Sequence, residues 1–208
     1  MSSDQADDFP TPPNESERLE SLRYYDILDT PDEETFDNLT ELASQVFDFP
    51  IVLISLVDKE RAWFKSNHGC DFKQVERSAT ICNTVTCRGE PILISNTDDS
   101  PVARDKPMIQ EEGIQTYYGA PIETDEGHVL GTLCMLDFQE RDLSDQQVNQ
   151  LKTLADVVMD KIELRRTKQE LEKSVEQRDQ ILDEIHHRVK NNLNTAISLI
   201  RTRFRQNP

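Results

Sequence analysis

The sequence predicts an α+β domain followed by one long helix. Three observations carry this. A continuous aliphatic run, Ile51-Val52-Leu53-Ile54-Ser55-Leu56-Val57, opens a series of five short strand-like segments. Helical periodicity brackets that series on both sides. Between Ser144 and Asn207 there is neither Pro nor Gly, so nothing in that stretch need break a helix.

The bulk properties narrow the function classes. A chain of 208 residues can bury one sizeable core plus a helical extension. No run of 18 or more apolar residues occurs, so no transmembrane helix is expected. The N-terminus, Met-Ser-Ser-Asp-Gln-Ala-Asp-Asp, lacks a basic and apolar signal, and a cytoplasmic protein is expected. There the four scattered cysteines would remain thiols. A formal charge of −17 argues against a general nucleic-acid or anionic-membrane surface. The charge is uneven: residues 1–40 hold twelve acids and two bases, whereas residues 186–208 hold five bases and no acid.

In chain order, residues 1–15 are acidic and Pro-rich and read as a disordered lead. A short helix runs from Ser16 to about Tyr25, and Pro31 ends the next segment. Residues 32–48 form a second helix, with Phe36, Leu39, Leu42, Ala43 and Val46 at the spacing of a buried face. After β-strand 51–57, Asp58-Lys59-Glu60 is a turn and Ala62–Ser66 a partner strand. Residues 67–77 read as polar loop and 78–87 as a short helix. Strands follow at 91–94, 115–122 and 128–136, the last two joined by a hairpin at Asp125-Glu126-Gly127. One short helix is expected near 102–110. Ser144 and Gln147 have the spacing of a capping box, and Leu143 and Val148 that of a hydrophobic staple.

Several strings in this order resemble the GAF domain: Ile27-Leu28-Asp29-Thr30-Pro31, Ser55-Leu56-Val57-Asp58, Trp63-Phe64-Lys65-Ser66, Tyr118-Gly119-Ala120-Pro121-Ile122 and Gly131-Thr132-Leu133-Cys134-Met135-Leu136-Asp137. The resemblance spans about residues 18–165 and implies a mostly antiparallel sheet flanked by helices. It names no ligand, since GAF domains serve many. No Cys is followed by His, which removes the attachment signature of a linear tetrapyrrole. His68 and His128 stand alone, and no cyclic-nucleotide string is evident. The Cys82/Cys87 spacing is looser than a zinc pair, so no metal site is assigned and the thiols read as scattered. Trp63, Phe64, Tyr117 and Tyr118 are expected to alternate between core and surface. Asp98, Asp99, Glu111, Glu112, Glu123 and Asp125 read as a solvated face.

The chemistry lies further on. Val175, Arg178, Leu182, Ile185 and Val189 repeat at steps of three and four, apolar except for Arg178. At about 100° per residue they form one stripe within roughly 80° of Ile185. His187 falls at about 200°, on the opposite face, and His186 at about 100°, on the flank. Asp183 and Asn191 lie one turn before and after His187. A neutral imidazole can act as a nucleophile near pH 7. Asp183 or Glu184 could take its proton, and Arg188 and Lys190 add charge suited to phosphate. A helix with so thin a stripe needs a partner, most simply a second copy in a parallel coiled coil.

The string Glu184-Ile185-His186-His187-Arg188-Val189-Lys190-Asn191-Asn192-Leu193 resembles the phosphoacceptor box of sensor histidine kinases, in the subgroup with an H-R-x-K-N core. The resemblance implies that the His before Arg, His187, is phosphorylated, with His186 as runner-up. It implies roles for Asp183 or Glu184 in proton transfer and for Asn191 in positioning. It also implies a homodimer, a response-regulator partner and Mg-ATP bound by a catalytic domain, whose Gly-rich segments this sequence lacks. The division expected is 1–15 lead, 16–143 GAF sensor, 144–180 signalling helix and 181–208 first phosphotransfer helix. The rival expectations are a dimeric GAF binding module with an inactive box, or a light- or redox-sensing GAF protein.

Overall fold

The computed structural model describes residues 9–205; residues 1–8 of the expected lead and 206–208 of the expected phosphotransfer helix lie outside the described residues. Two helices, α1 (Glu15–Tyr24) and α2 (Glu34–Phe47), precede β1 (Ile51–Val57), β2 (Arg61–His68) and β3 (Gln74–Glu76). A 3-10 turn (Arg77–Ala79), α3 (Cys82–Arg88), β4 (Ile92–Ile94) and α4 (Pro107–Glu112) follow. The chain then forms β5 (Thr116–Glu123), β6 (Val129–Asp137) and α5 (Asp145–Arg205). The six strands form one antiparallel sheet in the order β3-β2-β1-β6-β5-β4.

Both faces of this sheet are covered. On one face Val52, Ile54, Leu56, Trp63, Tyr118, Ala120 and Met135 pack with residues of α1 and α2 and with Leu151, Ala155, Val158, Met159 and Ile162 of α5. On the other, Leu53, Phe64, Tyr117, Cys134 and Leu136 pack under Ile81, Cys82, Val85 and Ile109 from α3, α4 and their flanks. This explains one departure from expectation. Trp63, Phe64, Tyr117 and Tyr118 do not alternate between core and surface; all four are buried, because alternation here is between two cores. Glycine at 131 is required by strand approach: a Cβ there would lie 1.9 Å from the Ser55 carbonyl oxygen.

The remaining departures concern α2, the 67–77 segment and the lead. The buried face of α2 is Phe36, Thr40, Ala43 and Phe47, while Leu42 and Val46 are 47% and 56% exposed. Those two line an open groove of about 660 Å³ with Phe47 and with Gln146, Asn149, Gln150, Thr153 and Leu154 of α5. Thr40 is buried because its hydroxyl meets that of Ser66 at 2.8 Å. The stretch read as polar loop contains β3, which pairs with β2 through Arg61–Glu76, Ala62–Val75 and Trp63–Gln74. Of the lead, residues 9–15 pack on the domain: the Pro10 carbonyl accepts from Asn83 at 2.9 Å, and the Phe9 ring lies 4.9 Å from the Arg77 guanidinium.

Local signals at the start of α5 are realised. The Ser144 N–H donates to Gln147 Oε1 at 3.0 Å and the Gln147 N–H to Ser144 Oγ at 3.4 Å, a reciprocal cap. The chain divides into two compact units, Met1–Leu164 and Arg165–Pro208. Packing of the first unit therefore continues past residue 143, through the buried residues of α5 up to Ile162.

Candidate functional site

In the first unit, the strings singled out in the sequence meet one another. Lys65 on β2 is fully buried beneath the 27–33 segment, where its ammonium donates to Thr30 Oγ1 at 2.9 Å, the Pro31 carbonyl at 2.8 Å and Glu33 at 2.7 Å. A buried ammonium needs this full set of acceptors to offset its desolvation. Arg61 reaches Asp29 at 2.6 Å, and the neighbouring guanidinium holds the Asp29 carboxyl below its ordinary range. A second network joins α1 to α3. Arg18 and Arg77, both buried, share Glu15 at 2.8 and 2.5 Å, Arg18 also donates to the Val57 carbonyl, and Arg77 to Asn83. Burial pushes the Glu15 carboxyl up, and the two arginines more than offset it, leaving its pKa lowered. These strings are thus fold-holding contacts. Asp98, Asp99, Glu111, Glu112, Glu123 and Asp125 are exposed, as expected of a solvated face.

The same unit brings together residues that the sequence left apart. Cys82 at the start of α3 and Cys134 in the middle of β6 place their sulfurs 3.9 Å apart, both buried. The Tyr117 hydroxyl donates to the Cys82 sulfur at 3.6 Å. It reaches that far because position 119, on the same strand face, is glycine: a Cβ there would sit 2.4 Å from the Tyr117 oxygen. Gly119 is itself the register partner of Cys134. Separated by 52 residues and lying on unrelated elements, the two thiols carry no spacing signal that sequence reading could have used.

The second unit carries the histidine box. Residues 165–205 are helical, and every side chain from Glu170 to Asn191 is exposed. His186 and His187 are exposed, as are Asp183, Glu184, Arg188 and Lys190. Helical geometry puts Asp183 at about 160° and Asn191 at about 240°, flanking His187 at about 200°. Glu184 forms an ion pair with Arg188 one turn on, the favourable order for a helix. On the far side, Leu171, Val175, Leu182, Ile185, Val189 and Leu193 form an apolar stripe, each 39–63% exposed. The helix thus displays an imidazole on one face and an unburied apolar seam on the other.

Comparison with known proteins agrees with this division. Residues 32–162, more than half of the chain, match the GAF domain family, and this chain belongs to it. Residues 184–208 match the histidine kinase family, and the two in this order are the arrangement of a sensor histidine kinase fragment. A cyclic di-GMP phosphodiesterase of Pseudomonas aeruginosa is 32% identical over 155 residues, covering 74% of this chain and 26% of that protein. The chain therefore spans about a quarter of that curated relative. Among solved structures, the GAF domain of an Acinetobacter phosphoenolpyruvate-protein phosphotransferase superposes with a TM-score of 0.56 at 17% identity, covering 74% of this chain and 98% of that one. A domain of a two-component sensor histidine kinase protein from Sinorhizobium meliloti superposes with a TM-score of 0.51 at 18% identity, covering 67% and 97%. These likenesses establish the fold. Among the described residues no helix is long and apolar enough to cross a membrane.

Proposed function

We propose that this chain is the sensor and phosphoacceptor portion of a cytoplasmic, dimeric histidine kinase of a two-component system, with His187 as the phosphorylated residue. One observation supports it above the rest: a box matching the histidine kinase family stands on a helix whose histidine is exposed opposite an apolar seam. In this reading residues 16–143 are the sensor, 144–180 the signalling helix and 181–208 the first phosphotransfer helix. A second copy covers the seam in a parallel coiled coil.

The chemistry follows from the face. A neutral His187 nitrogen attacks the γ-phosphorus of Mg-ATP held by a catalytic domain; an N–P bond forms and the bond to the ADP oxygen breaks. Asp183 or Glu184, on the preceding turn, accepts the imidazole proton. Arg188 and Lys190 meet phosphoryl charge and Asn191 positions the ring. His187 then passes the group to an aspartate of a response regulator. The GAF domain receives the input. His186, on the flank, is the alternative acceptor.

The test is phosphohistidine formation in the complete gene product with Mg-ATP, comparing wild type, His187→Ala and His186→Ala. Acid-labile label should vanish in His187→Ala and persist in His186→Ala; the reverse moves the site to His186. A second reading, a dimeric GAF binding module with a silent box, is favoured by one fact: the 32% identical relative is named as a phosphodiesterase and not a kinase. Absence of label in wild type would establish that second reading.

A further inference from the structure

The core layer beneath α3 holds a chemical group that phosphoryl transfer does not use. Aliphatic and aromatic side chains surround it. At its centre two thiols and several hydroxyls converge: Cys82 and Thr80 from the α3 approach, Ser55 from β1, Thr132 and Cys134 from β6, and Tyr117 from β5. The β1–β6 register sets Ser55 beside Thr132 and Leu53 beside Cys134, so these side chains share one sheet face. Ser55 Oγ and Thr132 Oγ1 are buried and have no hydrogen-bond partner other than the nearby sulfur. A buried hydroxyl is costly unless it has a hydrogen-bond partner, and here the sulfur is the partner at hand.

We propose that Cys82 and Cys134 are a reversible redox pair, oxidised to an intramolecular disulfide by a hydroperoxide. The inference stands independently of the phosphoryl-transfer reading. The sulfurs are already in contact at 3.9 Å, and closing to a bond of about 2.05 Å needs a shift of about 2 Å shared between α3 and β6. Cys82 is the attacking sulfur. The Cys134 thiol holds the Cys82 pKa well down against the opposing effect of burial, and the Thr132, Thr80 and Ser55 hydroxyls add to this. Cys134 is pushed up by the same contact and by burial.

The steps balance. The Cys82 thiolate attacks the peroxide's terminal oxygen; the O–O bond breaks, and the leaving oxygen takes up the proton Cys82 released, giving water or an alcohol and Cys82 sulfenic acid. The Cys134 sulfur attacks the Cys82 sulfur, the S–O bond breaks, and the Cys134 proton leaves with the hydroxide as water. Two thiols lose two electrons and one peroxide gains them. Because both sulfurs are buried, the oxidant enters when the α3 layer opens locally, which makes the reaction slower than at an exposed thiol.

The test uses the whole chain at pH 7 with hydrogen peroxide, followed by alkylation, digestion and non-reducing mass spectrometry. Two of the four thiols should disappear, with a peptide pair joining Cys82 to Cys134 that dithiothreitol releases. A link through Cys70 or Cys87, sulfinic acid at Cys82 without a link, or unchanged thiols at both positions would overturn the proposal. In Cys134→Ser the sulfenic acid should persist on Cys82 and be trapped by dimedone. If that variant does not fold, the wild-type peptide map decides alone.

Discussion

Residues 9–164 and residues 165–205 solve the problem of burial in opposite ways. In the first region both faces of the sheet are covered from within the chain, and even charged side chains such as Arg18, Lys65 and Arg77 are buried with partners. In the second, nothing among the described residues covers the apolar seam of Leu171, Val175, Leu182, Ile185 and Val189. The first region supplies the cover for its own core. A helix of the second kind derives little stability from propensity alone, and in the proposed reading a second copy completes it. That difference fits the proposed reading of a sensor joined to an output helix, in which one region holds its own shape and a signal alters the pairing of the other.

The comparison can be broken most forcibly from the first side. Phe36→Ala removes a fully buried ring from the α2 face and should lower the unfolding free energy of the GAF domain by about 3–5 kcal/mol in a denaturant titration. It should leave the molar mass of the folded protein unchanged. Leu182→Asp does the converse. In the chain alone the site is 45% exposed, so the GAF melting transition should not move. A charge buried at the seam of a dimer costs a few kcal/mol, so light scattering should show at least a tenfold weaker dimer. An unchanged mass would remove the coiled coil.

Smaller changes act within the first region. Ser144→Ala deletes one half of the reciprocal cap that starts α5 and should cost about 1 kcal/mol in thermal or denaturant unfolding, with Ser144→Gly costing less. The smallest effect is electrostatic. The folded pKa of Glu15 lies below its ordinary value of 4.5, so its contribution is present above about pH 4.5 and is lost as pH falls through the lowered folded value. Wild type should therefore be more stable than Glu15→Gln at pH 7, and the gap should narrow as the pH falls below about 4.5. A gap that stays constant with pH would assign the Glu15 contribution to hydrogen bonding alone.

Several features were legible in advance because each is a local signal. The 51–57 run gave a strand buried on both sides, the Asp125-Glu126-Gly127 turn lies in the hairpin closed between Thr124 and His128, and the absence of breakers after Ser144 gave a continuous helix. Counting apolar residues misplaces the buried face of α2, because it ignores what lies opposite. Thr40 is inside because Ser66 waits there with a hydroxyl, and Leu42 is outside because no strand reaches it. Strand β3 was missed because Gln74-Val75-Glu76 is short and polar, and only pairing with β2 makes it a strand.

For the histidine box, sequence was sufficient to set out the face, since angular position on an unbroken helix depends on spacing alone. The identity of the box came from ten consecutive residues and needed no fold. By itself, then, the sequence determined five of the six strands, the helices and the display of His187 opposite an apolar seam. Only the tertiary structure decided that both sheet faces are core, that Lys65 sits beneath Thr30 and Pro31, and that Cys82 touches Cys134. The physical reason is range. Periodicity, capping and turns act over four or five residues, whereas these contacts join positions 34 to 52 residues apart and exist only once the sheet has brought its strands into register.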